Sequence, residues 1–209
     1  MPKKRIRLGL MGGTFDPIHY GHLVTAEEAR VCYDLTEVIF IPSGHPPHKT
    51  NLQVSDAQHR LTMCLLATVT NQHFWVSDIE VKRPGFSYTY DTVRAIKQAY
   101  DNQAEVFFIT GADAVKEILD WKDFDKLIEE CTFIAATRPG YILDLDKQNT
   151  SLPPHTLEKI LPLEVTALAI SSTDVRQKVM KNCPIKYLLP ETVENYIYKY
   201  NLYKNAEGI

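Results

Sequence analysis

The chain of 209 residues fits one domain with additions better than two full domains, and at this size it buries a core without disulfide or metal staples. Apolar residues make up 44% and charged residues 23%, as in ordinary soluble proteins, and a formal charge of −3 gives no electrostatic footprint for general nucleic-acid binding. No apolar run approaches the length of a membrane span and no signal-peptide pattern opens the chain, so the expectation is a cytoplasmic protein without a membrane partner.

The basic run Lys3, Lys4, Arg5 and Arg7 leads straight into an apolar stretch and reads as the solvated start of a strand over residues 5–11 (RIRLGLM). Residues 22–33 have helical spacing. Residues 37–42 (EVIFIP) form a second strand rich in branched and aromatic side chains. A helix over 55–70 opens on Ser55 as N-cap, a strand follows at 74–81, and another helix runs over about 89–100. Residues 105–110 (EVFFIT) and 132–136 (TFIAA) are buried strands. The stretch 138–162 is polar, proline-bearing and poorly periodic, and reads as a surface excursion. Helices over 172–181 and 190–200 complete the pattern, the latter opening on Pro190, where a missing N–H costs little. Cys32, Cys64, Cys131 and Cys183 lack the paired spacing of a zinc or redox site and read as reduced, mostly buried thiols.

Strand–helix alternation of this kind predicts an α/β fold: a Rossmann-like open parallel sheet, helices on both faces, and a small C-terminal helical extension. In such sheets ligands bind at the carboxyl ends of strands, beside the point where strand order reverses. Strand-end loops are therefore where chemistry is sought.

The first is Gly12-Gly13-Thr14-Phe15-Asp16-Pro17-Ile18-His19-Tyr20-Gly21-His22. Two glycines after a strand allow a phosphate to approach backbone N–H groups, and the following helix start favours an anion. His19 and His22, three apart, are placed to face one phosphate chain. A zinc site from this pair is an alternative, with no third ligand near in sequence. Neither the dinucleotide glycine fingerprint nor a glycine loop with a Walker lysine is present, which disfavours a dehydrogenase and a P-loop ATPase.

The second loop, residues 41–49 (IPSGHPPHK), is stiffened by Pro46 and Pro47 and carries Lys49 toward an anion or simply into solvent. In the third, Ser87, Tyr88 and Thr89 after Gly85 offer hydroxyls and backbone donors suited to a carboxylate, although capping alone accounts for Ser87 or Thr89. The fourth is Gly111-Ala112-Asp113, an acidic residue at a strand end where ribose hydroxyls commonly bind, followed by Trp121, either a stacking face for a cationic ring or a core anchor. Last, Ile170-Ser171-Ser172-Thr173-Asp174-Val175-Arg176 begins a helix with a loose capping box, and Arg176 lies one turn in, within reach of a phosphate at that helix end.

GGTFDPIHYGH resembles the H-x-G-H loop of the nucleotidyltransferase superfamily, and ISSTDVR resembles its ISST-x-x-R motif. PPHK, SYT and the GAD–tryptophan pair are similar to those of the nicotinate-nucleotide adenylyltransferases. The likeness runs from the first strand to the terminal YLLPETVENYIYKYNLY. It implies one nucleotidyltransferase domain over 1–209, with a core sheet to about 165 and helices over about 170–209 closing an ATP site. It further implies adenylyl transfer from ATP to nicotinate mononucleotide, with Mg²⁺ bound through the ATP phosphates and no protein-bound metal.

By the same resemblance His19, His22 and Lys49 are the catalytic group. Gly12, Gly13, Thr14, Phe15, His19, His22, Gly111, Asp113, Ile170, Ser171, Ser172 and Arg176 hold ATP. Asp16, Lys49, Ser87, Tyr88, Thr89, Trp121 and Arg138 hold the mononucleotide, Arg138 by its position after the strand TFIAA. Another acceptor, such as nicotinamide mononucleotide or phosphopantetheine, and a sensing module that binds ATP without chemistry are the competing readings. A homo-oligomer of the chain is left open.

Overall fold

The computed structural model describes residues 6–45, 54–111, 118, 121–140 and 154–204. Its centre is a six-stranded sheet in which every pairing is parallel: β1 (Ile6–Gly13), β2 (Glu37–Pro42), β3 (Phe74–Val76), β4 (Ala104–Gly111), β5 (Thr132–Thr137) and β6 (Ile160–Glu164). The spatial order β3-β2-β1-β4-β5-β6 is that of the doubly wound nucleotide-binding fold. Strand order reverses between β1 and β4, so the crevice lies beyond Gly13 and Gly111.

Alternation along the strands sends side chains into two separate cores. Leu8 and Leu10 of β1 join Ile39, Phe108 and Phe133 on one face, packed under α4 (Thr89–Ala99) and α5 (Phe124–Glu130) through Val93, Ile96, Leu127 and Ile128. Met11, Phe40, Phe107 and Ile134 face the other way. There they meet α1 (Tyr20–Cys32), α2 (Ala57–Thr68), α7 (Ser172–Met180) and α8 (Glu191–Lys199), which contribute Ala26, Met63, Val175 and Val193. The remaining helices are short: α3 (Ile79–Lys82) and α6 (Pro154–Leu157).

Four sequence expectations shift. The third strand stops at Val76 and the chain turns into α3, because the alternation of residues 77–82 supports a short helix between Asp78 and Arg83 as readily as a strand. Asp56, not Ser55, caps α2, its carboxylate accepting the Gln58 N–H at 2.8 Å. The excursion over 138–162 ends in a helix turn and the edge strand β6, whose Pro162 is tolerated because an edge strand has one unpaired side. Of the four cysteines, Cys64 and Cys131 are buried, while Cys32 and Cys183 sit near helix ends facing solvent. No helix among the described residues is long and apolar enough to cross a membrane.

Candidate active site

His19 caps α1 with an extended backbone, and His22 stands three residues on, at the third helical position. The His22 ring folds back so that its Nδ1 accepts the His19 backbone N–H at 3.2 Å, which leaves the proton of a neutral His22 on Nε2. The two imidazoles stack with centroids 3.8 Å apart and planes inclined by 29°. Gly21 makes this arrangement sterically feasible: a Cβ there would meet the His19 ring at 2.9 Å. Phe15, in the left-handed region at φ 49°, presses its ring edge-on against His22 at 5.1 Å. Such a backbone is uncommon for a bulky residue and costs about 1–3 kcal/mol.

Both histidines are held neutral. Burial lowers the pKa of His19 from 6.5 to about 4, and burial followed by the neighbouring His19 charge lowers that of His22 to about 3. Among the described residues Nδ1 of His19 is buried with no hydrogen-bond partner, which makes it a candidate ligand contact beside the cavity. The pair does not converge as metal ligands do: the rings lie face to face, and among the described residues no group of three His, Cys, Asp or Glu comes together.

A cavity of about 230 Å³ opens beside the pair, at the ends of β1, β4 and β5, and Gly111, Arg138, Thr166 and Ile170 also line it. Arg138, expected with the mononucleotide residues, thus shares the histidines' side of the sheet. Thr25, Thr137 and the 165–168 segment line it too and carried no sequence signal. Glu28 of α1 fastens that segment by accepting the Thr166 N–H at 2.9 Å and its hydroxyl at 2.7 Å.

The C-terminal helices are bolted to the glycine loop. Arg176 donates from Nη1 to the Asp16 carbonyl at 2.6 Å, and the Ser172 hydroxyl donates to the Pro17 carbonyl at 2.8 Å. Tyr203 donates to Asp16 Oδ1 at 2.7 Å, and the Tyr20 N–H to the Leu188 carbonyl at 3.1 Å. Asp16 Oδ2 accepts the Ser55 N–H. The Asp16 carboxylate, expected at the mononucleotide, thus also ties the glycine loop to Ser55 and Tyr203. Ser171 caps α7 by accepting the Asp174 N–H at 3.0 Å. Gly12, Gly13 and Thr14 close β1 half-exposed at the crevice.

Across the sheet, Ser87 is buried, and its hydroxyl oxygen accepts the Gly44 N–H at 3.2 Å. Beside it lies Glu80, whose carboxyl burial pushes above its ordinary range, accepting the Thr92 hydroxyl at 2.7 Å. Tyr88 and Thr89 stand half-exposed at the start of α4. Trp121 packs edge-on against Phe108 and Phe133 and stays half-exposed, so it is a core anchor with one free side. Lys49 and Asp113 lie outside the described residues, as do His48, Pro46 and Pro47.

A doubly wound sheet with a stacked histidine pair at the helix start beyond its first strand defines a nucleotidyltransferase of the H-x-G-H class. Residues 10–178 match the family described as cytidylyltransferase-like. The chain belongs to that family and, within it, to the nicotinate-nucleotide adenylyltransferases. A probable nicotinate-nucleotide adenylyltransferase of Moorella thermoacetica is 57% identical over 199 residues, spanning 95% of this chain and 92% of that protein. One from a Thermoanaerobacter species is 52% identical over 206 residues, 98% of each. In fold, the chain superposes on Plasmodium falciparum nicotinic acid mononucleotide adenylyltransferase complexed with NaAD with a TM-score of 0.72 at 22% identity, covering 95% of this chain and 97% of that one.

Proposed function

We propose that the protein transfers the adenylyl group of ATP to nicotinate mononucleotide, releasing pyrophosphate and forming nicotinate adenine dinucleotide, a step of NAD biosynthesis. The observation that carries this reading is the histidine pair: neutral, stacked, one ring nitrogen unpaired, set beside a cavity at the switch point of the sheet. The near relatives of the same name over almost the whole chain support the choice of acceptor.

In the reaction an oxygen of the mononucleotide's 5′-phosphate attacks the α-phosphorus of ATP in line. The new P–O bond forms as the bond to the β-phosphate oxygen breaks, and pyrophosphate departs with that electron pair. A phosphate monoester is already an anion, so no strong base is needed, and catalysis rests on positioning and charge stabilisation. His22, its Nε2–H left free by the bond at Nδ1, donates to the transferring phosphoryl group. His19, neutral, hydrogen-bonds a neighbouring oxygen from a ring N–H, and Lys49 supplies the positive charge. Ser172, through its backbone N–H, and Arg176, through guanidinium N–H groups not given to Asp16 and Thr173, hold the leaving pyrophosphate. Arg138 reaches ATP from the end of β5, and Asp113 takes the ribose. The free side of Trp121 and the donors at Tyr88 and Thr89 receive the pyridine ring and its carboxylate. Bound through the ATP phosphates, Mg²⁺ would supply charge that offsets theirs. Among the described residues no group of three His, Cys, Asp or Glu converges to hold an ion by itself, so the donor set fits a metal carried by phosphates.

The test is pyrophosphate release with ATP and Mg²⁺, run in parallel on nicotinate and nicotinamide mononucleotides. Strong preference for the nicotinate form is expected. Preference for the amide would discard the carboxylate pocket, and silence with both would discard the reaction.

A further inference from the structure

The largest fully buried side chain of the described protein is that of an arginine. Arg60, in the first turns of α2, is 1% exposed. Its guanidinium donates from Nε to the Ser55 carbonyl at 2.9 Å, from Nη1 to the Thr14 carbonyl at 2.8 Å, and from Nη2 to the Gly44 carbonyl at 3.1 Å. Among the described residues no carboxylate pairs with it; Asp16 is the first of the surrounding charges to favour its protonated form, while burial disfavours it. An arginine stays charged in such surroundings.

Stability alone does not call for this residue. Burying a charge costs several kcal/mol even after relaxation, and an apolar side chain of similar volume commonly serves a core as well or better. The identity of the three carbonyls supplies the reason. Thr14 belongs to the glycine loop, five residues before His19. Gly44 lies in the loop that leads from β2 toward Lys49, and Ser55 lies where the chain returns from it into α2.

The connection continues past Gly44. Its N–H donates to Ser87 Oγ at 3.2 Å, and on its other side the Glu80 carbonyl lies only 2.2 Å from where a Cβ would stand. Gly44 is thus clamped between the guanidinium and the segment that carries Ser87, Tyr88 and Thr89. An unbroken line of hydrogen bonds runs from Thr14 through Arg60 and Gly44 to Ser87. It joins the ATP side of the crevice to the acceptor side. The planar fork of an arginine holds such spacing rigidly, where a lysine on a flexible stem does not.

We propose that Arg60 is a positioning residue that sets the distance and register between the two substrate sites. The inference rests on the proposed two-substrate reaction. In-line attack needs reacting atoms about 3–3.5 Å apart, and a misplacement of about 1 Å costs about a hundredfold in rate. Each loop keeps its own contacts when Arg60 is lost, so each substrate still binds; their mutual alignment is what fails.

The test uses the full chain with Arg60→Lys and Arg60→Met, after the wild type has been shown to release pyrophosphate. Both variants are expected to lose about a hundredfold in kcat, while KM for ATP and KM for nicotinate mononucleotide each stay within about threefold. Arg60→Lys, which keeps the charge but not the fork, is not expected to rescue. A purely structural residue would change the melting temperature and the folded fraction but leave kcat per folded molecule intact, and that result overturns the proposal. So does a rise in one KM with normal kcat, which would confine Arg60 to a single loop.

Should neither variant fold, wild-type protein carrying ¹⁵N-arginine answers the question. The Arg60 Nε–H resonance is expected to move when a non-hydrolysable ATP analogue binds alone and again when nicotinate mononucleotide binds alone. Response to one only, or to neither, overturns the proposal. A wild type silent in the pyrophosphate assay would instead remove the reaction itself, a distinct result.

Discussion

The two sides of the crevice solve opposite problems. On the α1 side, polar groups are held ready and unfinished: among the described residues the His19 ring nitrogen has no partner, and Nε2 of His22 is left over after Nδ1 is engaged. On the α4 side, polar side chains are finished: Ser87, Thr92, Glu80 and Arg83 bond to one another or to Gly44. The contrast separates side chains left open to a ligand from side chains that shape a backbone. In the reaction proposed above, phosphates, which carry the reacting atoms, would meet ring nitrogens, and the acceptor's carboxylate would meet N–H groups and hydroxyls at the start of α4, whose conformation the buried network fixes.

The sharpest way to break that contrast is His22→Ala. Loss of one donor aimed at a transition-state charge typically costs about 10²–10³ in rate, or about 3–4 kcal/mol. The variant is expected to keep its melting temperature within a few degrees and to turn over at least about a hundredfold slower. Normal turnover would mean the unfinished side is not the reacting side.

Acid is the next largest lever, and it acts on the same pair. With folded pKa values of about 4 and about 3 against 6.5 unfolded, both histidines are neutral in either state above pH 6.5 and their contribution to stability is complete there. As pH falls through the window from 6.5 toward 4, the unfolded chain takes up protons that the folded one refuses, and stability drops. At pH 5 the loss is about 2 kcal/mol for each histidine. Urea unfolding at pH 7.5 and pH 5, compared with a His19→Asn, His22→Asn double variant, reads it directly. Equal losses in the two proteins would show that the pair is not buried as described.

Ser87→Ala has the smallest expected effect and tests the finished side. It leaves the buried Gly44 N–H without an acceptor, at a cost of about 1–3 kcal/mol in stability. KM for nicotinate mononucleotide should rise more than KM for ATP. Reversal of that order would place the Gly44 loop on the nucleotide side.

What was legible in the sequence follows the same division. β1, β2, β4 and β5 announce themselves because strands buried on both faces must be continuous branched and aromatic runs. β6 escaped because an edge strand bears Pro162 and Glu164 without penalty. His19, Gly21 and His22 were readable because one turn of helix brings their spacing together. Arg60 was not: an arginine in a helical run looks like a solvated face, and its partners Thr14 and Gly44 lie in other segments. The role of Asp16 hid for the same reason, with partners at Ser55 and Tyr203. Nor does any local signal mark Phe15 for a left-handed backbone.

The Tyr203–Asp16 bond also orders events in time. The last strand of the sheet ends at Glu164, whereas the side chains that fasten the glycine loop come from Ser172, Arg176 and Tyr203. A chain leaving the ribosome therefore has the described sheet before it has these fastenings. The glycine loop waits for Tyr203, 187 residues further on, so a product terminated before that residue would carry the described sheet with the loop unfastened.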